Sequence, residues 1–326
     1  MSDGKTDPTT CTVSIIVPML NGEEFIDEAL RSILREKSVP LEVVVIDDGS
    51  TDRSREIIQA IGDPRVRIVD GPRKGISACL NTGIAASRGE IVMRCDADDL
   101  YPPGRILRQV AWLTDHPLQD AVGGAFSTID PAGRLVAKVG KRNMPHFEQI
   151  EGELGRGVTR THLCTFAIRR RVFERIGGFR EYFETAEDRD FQLRMGEACR
   201  VGYQPVDCYL YRLHGTSITH TRSNERRHFF DDIAVTFQEQ RRAGGSDALM
   251  RGEAPVPPAH DAKKASTTVG MHLHHMLVGQ SWRDLREGES LRAVARSWRA
   301  LWAHPFYLSG WVNFVKILSR AMFPKP

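Results

Sequence analysis

Residues 13–52 read VSIIVPMLNGEEFIDEALRSILREKSVPLEVVVIDDGSTD, and two periodicities in this stretch decide the fold. VSIIV (13–17) is a β-branched strand closed by Pro18. Asn21-Gly-Glu-Glu24 then opens a helix, with Asn21 as N-cap and Glu24 three residues on, the spacing of a capping box. Phe25, Ile26, Ala29, Leu30, Ile33 and Leu34 keep helical spacing to about Arg35. LEVVVI (41–46) is a continuous apolar run, the mark of a strand covered on both faces. The alternation continues through a helix at 53–61, a strand at 66–69, a helix at 76–87 and a strand at 90–94. Strands alternating with such helices predict an α/β fold, a doubly wound and mostly parallel sheet with flanking helices.

In such sheets ligands bind beyond the carboxyl ends of the strands. Asn21, Asp47, Asp48, Arg73, Lys74, Asp96 and Asp98 all fall at those ends. The strand at 91–94 runs into Asp96-Ala-Asp98-Asp99, and period two predicts that Asp96 and Asp98 face one side and Asp99 the other. Carboxylates so close repel one another unless a cation or a donor-rich ligand lies between them. Hard oxygen donors suit Mg²⁺ or Mn²⁺, ions that commonly bridge a carboxylate to substrate phosphates. Alone, such a turn is an ordinary solvated helix cap.

Composition sets further bounds. The chain has 326 residues and a net charge of +3, which gives no case for nucleic acid as a partner. Six cysteines show neither a CxxC pair nor zinc spacing, so reduced, mostly buried thiols in a cytoplasmic protein are expected. The polar N-terminus, MSDGKTDPTTC, has no apolar signal core.

Four segments carry a resemblance: VSIIVPMLNGEEFIDEALRSIL (13–34), VVVIDDGSTD (43–52), GISACLNTGIAASRGEIVMRCDADD (75–99) and GGFREYFETAEDRDFQLRM (177–195). In order and spacing the chain resembles a family 2 glycosyltransferase of the GT-A fold over roughly residues 12–222. The resemblance implies an inverting, metal-assisted transfer from a nucleotide-diphosphate sugar, with a UDP-sugar expected, to a hydroxyl of a glycan or lipid-linked saccharide. It also implies that Pro18 and Asn21 line the nucleotide pocket, that Asp47 or Asp48 accepts from the base, that Asp96 holds the ribose and that Asp98 ligates the metal. Cys79-Leu80-Asn81 stands where the family often has Ala-Arg-Asn, which leaves Arg73 or Lys74 for the base or phosphates.

An inverting transfer needs a general base near the anomeric carbon. The family's Glu-Asp pair maps onto Glu187 and Asp188 at the start of a helix, with Asp188 as the base and Glu187 raising the pKa of the pair. In Tyr209-Leu-Tyr-Arg212-Leu-His214-Gly-Thr-Ser217, expected as a loop after a strand near 201–204, Arg212 and His214 match the family's Arg-x-His. Arg212 would stabilise the leaving diphosphate, and His214 would complete the metal site. His162 and Thr165 are candidates for acceptor contact, and Arg169-Arg170-Arg171 either faces an anionic acceptor or is a solvated helix entrance.

Beyond residue 222 the family pattern fades. A helix is expected at 223–243, a Gly-, Pro- and Ala-rich linker at 244–268 and a helical tail at 269–326. Four of the five tryptophans lie in the last 45 residues, and from Gln280 on eight Lys or Arg face three Asp or Glu. Such a tail either lies in a membrane interface as a peripheral contact or packs on the catalytic domain or a second subunit. His272, His274 and His275 are read as a solvated helix face.

Other classes fit less well. A dehydrogenase would need GxGxxG after the first strand, where Pro18-Met-Leu-Asn21 stands. A sugar nucleotidyltransferase would need a Gly-rich, basic phosphate loop at that place. A dehalogenase-type phosphatase would carry Asp-x-Asp on its first strand, and a calcium loop would have Gly where Tyr101 is. A glycan-binding or scaffold protein on an inactive transferase fold is the non-enzymatic alternative.

Overall fold

The computed structural model describes residues 12–140, 147–214, 224–258, 269–286 and 288–322. Strands β1 (Val13–Met19), β2 (Leu41–Asp47), β3 (Val66–Asp70) and β4 (Ile91–Arg94) lie parallel in the order β3-β2-β1-β4. β1 continues through Pro18 to Met19, two residues past the expected end. Helices α1 (Ile26–Leu34), α2 (Ser54–Ile61) and α3 (Ile76–Ala86) make the crossovers. Alternation along β1 builds both layers: Val13, Ile15 and Val17 pack with Ile26, Leu30 and Ile33 of α1, whereas Ile16 packs with Cys79 and Leu80 of α3.

α1 does not start at Asn21. It begins at Ile26, and Asn21 sits in left-handed backbone (φ 54°), so no capping box forms. Its side-chain oxygen instead accepts the Thr51 amide (2.8 Å), while its own amide donates to the Ser50 hydroxyl (2.9 Å). A turn residue with a short amide side chain tolerates this conformation better than most.

Past residue 100 the sheet turns mixed rather than mostly parallel. After helix α4 (Arg105–Asp115) come β5 (Ala121–Ile129), β6 (Leu135–Val139) and β7 (Glu148–Gln149). Helix α5 (Glu151–Leu154), β8 (Ala167–Arg169), α6 (Arg170–Ile176), α7 (Glu187–Ala198) and β9 (Val201–Arg212) follow. β8 pairs antiparallel with both β4 and β5, and the order continues β4-β8-β5-β9-β7. Antiparallel neighbours need no helical crossover, so the alternation of the first hundred residues has no reason to continue.

From Arg227 on, helix α8 (Asn224–Gly244) belongs to this same unit, which comprises residues 1–126, 139–211 and 227–258. Phe230, Ala234 and Phe237 pack against Phe183 and Leu193. The expected linker at 244–268 begins as packed structure, with Asp247 and Ala248 buried, and it stays tied to the unit at Pro255. Asp247 is fully buried and pairs with Arg180 (2.6 Å) and Arg241 (2.5 Å), and Pro255 accepts from the Tyr182 hydroxyl (2.6 Å).

The second unit comprises residues 127–138, 212–226 and 259–326. Its helices α9 (Val269–Arg286), α10 (Ser290–Ala303) and α11 (Leu308–Met322) pack on one another. No helix among the described residues is long and apolar enough to cross a membrane. His274 is buried rather than solvated: its Nδ1 lies 2.8 Å from the Ala300 carbonyl, and its ring fits over Gly310, where a Cβ would come within 2.5 Å. Five of the six cysteines are buried free thiols, and Cys11 lies outside the described residues.

Candidate active site

Three loops converge at the carboxyl ends of the parallel strands. Asp47 is buried, and its Oδ1 accepts the amides of Ser50 (2.8 Å) and Gly49 (3.3 Å) while Oδ2 pairs with Arg55 (2.6 Å). Burial alone would raise its pKa, but Ser50, Arg55 and Gly49 together hold it below the usual range. Asp48, half-buried, accepts the amides of Arg73 (2.6 Å) and Gly75 (3.3 Å) and so ties the β3–α3 loop to the β2–α2 loop. Gly71 lets the two backbones meet, since a Cβ there would stand 2.7 Å from Asp48 Oδ1. Arg73 and Lys74 are exposed, with no carboxylate partner among the described residues.

β4 ends at Arg94, and Asp96–Asp99 is a turn closed by the Asp99 amide on the Asp96 carbonyl (3.2 Å). Strand alternation therefore does not orient these carboxylates. Asp96 and Asp98 are half-buried, whereas Asp99 is only 1% exposed. Arg94, which the sequence reading passed over, organises the site. Its Nε lies 2.6 Å from Asp96 Oδ1 and its Nη1 lies 3.1 Å from Glu187 Oε1. The signal was present: a lone cation ends an apolar strand two residues before Asp96.

α7 presents Glu187 and Asp188 in its first turn, preceded by Ala186 at φ 61°. Burial pushes the Glu187 carboxyl up to about 7, with Arg94 lowering it and Asp188 raising it. Arg94 is shared, and Asp96 takes its shorter contact. Asp188 is more open. Its Oδ1 accepts the Arg189 amide (2.7 Å), and Oδ2 lies 3.9 Å from His162 Nε2. His162 accepts the Cys164 amide on Nδ1 (3.3 Å), which fixes the tautomer with the proton on Nε2, toward Asp188. Its ring stacks on Tyr209, whose hydroxyl accepts the Asp96 amide (2.9 Å). Asp190, by contrast, is fully buried between Arg180 and Arg194 and is structural.

The non-glycine residues with left-handed backbone among the described residues are Asn21, Arg73 and Ala186. They stand in the β1–α1 loop, the β3–α3 loop and the segment leading into α7. Such strain persists where surroundings over-determine it, and it clusters at functional sites.

Other expectations change. Thr165 is fully buried and donates to the His162 carbonyl (2.8 Å), so its hydroxyl is spent on supporting His162. Arg169, Arg170 and Arg171 are neither an anion face nor a solvated entrance. They tie α6 and β8 to Glu90, the Gly89 carbonyl and Asp120. Arg212 ends strand β9 rather than lying in a loop. It is 1% exposed and donates to the Pro131 carbonyl (2.7 Å), within the second unit. His214 is buried in that unit too, and Gly215–Ser217 lie outside the described residues. Among the described residues no group of three His, Cys, Asp or Glu side chains could hold a metal ion by itself.

A parallel α/β half that gathers carboxylates at its strand ends, joined to a mixed half that brings a Glu-Asp pair to them, defines a glycosyltransferase of the GT-A type. The fold agrees with S. aureus TarS 1–349, solved in complex with UDP-GlcNAc: the TM-score is 0.58 at 17% identity, over 95% of this chain and 90% of that one. The glycosyl transferase family 2 model matches residues 14–177, half of the chain, and the protein belongs to that family. It is 31% identical over 222 residues to chondroitin synthase of Pasteurella multocida, covering 67% of this chain and 22% of that protein. It is also 28% identical over 264 residues to the succinoglycan biosynthesis protein ExoO of Rhizobium meliloti, covering 72% and 74%. The chain thus spans about a fifth of the length of the synthase.

Proposed function

We propose that this glycosyltransferase moves a sugar, with inversion, from a nucleotide-diphosphate donor to a hydroxyl of a glycan or lipid-linked saccharide in polysaccharide biosynthesis. The observation that carries the reading is Arg94, which ties Asp96 of the nucleotide half to Glu187 of the catalytic pair. Donor and base are thereby held in one site. Asp48, together with Pro18 and Asn21, serves the nucleobase, and Asp96 serves the ribose. Asp47 is committed to Ser50 and Arg55 and shapes that loop. Arg73 and Lys74, exposed at the same edge, are the cations for the diphosphate of a UDP-sugar.

Asp188 accepts the acceptor hydroxyl's proton as that oxygen bonds to the anomeric carbon. The bond from that carbon to the diphosphate oxygen breaks, and the nucleoside diphosphate leaves. His162, its protonated Nε2 3.9 Å from Asp188 Oδ2, orients the carboxylate. Asp98, a hard oxygen donor in a half-buried turn, fits a Mg²⁺ or Mn²⁺ ion that is shared with substrate phosphates and water. Such an ion, when bound, offsets charge on the leaving diphosphate.

An ion held by so few protein groups binds weakly alone and tightly with a diphosphate. Calorimetry with UDP should therefore show affinity rising with Mn²⁺, and Asp98→Ala should remove the gain. Equal UDP affinity with and without metal would overturn the metal-assisted reading.

A further inference from the structure

Helix α10 buries Ala293, Ser297, Ala300 and Leu301, yet leaves Leu291, Trp298 and Trp302 exposed at 88%, 45% and 72%. Those three positions, spaced seven and four apart, share one face. α11 buries Gly310 and Ile317 and exposes Leu308, Trp311, Val312 and Val315. The turn between them carries Phe306 at 96% exposure. A cleft of about 430 Å³ opens between the two helices, lined by Leu291, Val294 and Trp298 on one side and Phe314, Leu318 and Met322 on the other. Exposed apolar surface on this scale marks a docking face.

Charge decides what docks. Between Ser290 and Met322 there are five Lys or Arg and no Asp or Glu. Arg292 and Arg296 are paired with Glu289 and Asp284, and Arg320 lies over the Trp282 ring. Arg299 and Lys316 are exposed, with no carboxylate partner among the described residues. A second copy docking through this face about a two-fold axis would set cations against cations. A bilayer with anionic headgroups supplies opposite charge at its surface and hydrocarbon beneath it. α11, at 15 residues, spans only about 22 Å, short of the roughly 30 Å hydrocarbon core, so it lies in the interface rather than crossing it.

We propose that the α10–α11 hairpin is a monotopic membrane face for anionic phospholipid, with Trp302, Phe306 and Trp311 at headgroup depth and acyl chain in the cleft. The proposal does not depend on the donor or the base. It is tested with the full-length protein and vesicles of phosphatidylglycerol mixed with phosphatidylcholine, or of phosphatidylcholine alone. The expected result is sedimentation with the anionic vesicles at low salt, a blue shift of tryptophan emission, and quenching by brominated acyl chains. Removing one cation, in Arg299→Gln or Lys316→Gln, should weaken binding roughly five-fold. Trp302→Glu with Phe306→Glu should abolish it while circular dichroism and UDP affinity stay unchanged, since both side chains are exposed. The proposal fails if the protein remains in the supernatant with anionic vesicles at low salt, or if the double variant still sediments. A dimer in light scattering that the same double variant dissolves, with no vesicle binding, would assign the face to a second copy instead.

Discussion

Arg94 faces two carboxylates, and the way it divides between them sets the behaviour of the Glu187–Asp188 pair. Asp96 holds its Nε at 2.6 Å, and Glu187 has its Nη1 at 3.1 Å. Burial therefore outweighs pairing at Glu187, and the carboxyl rises from 4.5 to about 7. The folded chain then holds a proton that the unfolded chain has released, so stability falls as pH rises between those two values. Relative to Glu187→Gln, the protein should lose up to about 3 kcal/mol across that window, measured by urea unfolding at each pH. A difference that stays flat from pH 4.5 to 7.5 would contradict the raised carboxyl. At this scale the sequence was legible where chemistry is concentrated in a short motif. Asp96, Asp98, Glu187 and Asp188 stood out for that reason. Arg94 and Tyr209 did not, because the pairings of Arg94 with Glu187 and of Tyr209 with Asp96 span 93 and 113 residues.

Elements repeat the pattern. The strands and helices of the first hundred residues follow from period two and period 3.6, because helical crossovers impose both. The antiparallel half carries no such rhythm, and β9 runs eight residues past the strand expected near 201–204. Loop conformation was least legible. Asn21 has the composition of a helix cap but spends its side chain on Thr51 across the β2–α2 loop. Helix α8 was legible as a helix, but not as part of the catalytic unit. Its Arg and Glu content hides Phe230, which is fully buried with its ring 6.0 Å from that of Phe183. Phe183 lies in the loop that leads into α7, so α8 buttresses the segment that carries Asp188. Phe230→Ala should cost about 3–5 kcal/mol in chemical denaturation. A loss below about 1 kcal/mol, the range of surface changes, would mean that α8 is an appendage after all.

For the whole molecule, charge is unevenly distributed: the last segment is basic and aromatic, while the catalytic unit sets its acidic groups at one sheet edge. The sequence revealed that asymmetry and the family, but not the division of the chain. β5 and β9 both pass from one compact unit into the other, a long-range arrangement that no local pattern encodes. Arg212 and His214 fall beyond that crossing, and the chemistry proposed for the site rests on groups of the first unit: Asp48, Arg94, Asp96, Asp98, His162, Glu187 and Asp188. Of these, Asp188 as general base is the claim on which the reaction depends. Its measurement is nucleoside diphosphate release from a panel of nucleotide sugars by wild type and Asp188→Asn, with donor affinity followed by calorimetry. Asp188→Asn keeps size and removes the base, so turnover should fall by roughly two to four orders of magnitude while donor affinity stays within about two-fold, well under the tenfold that 1.4 kcal/mol would give. Undiminished turnover in that variant would contradict the mechanism.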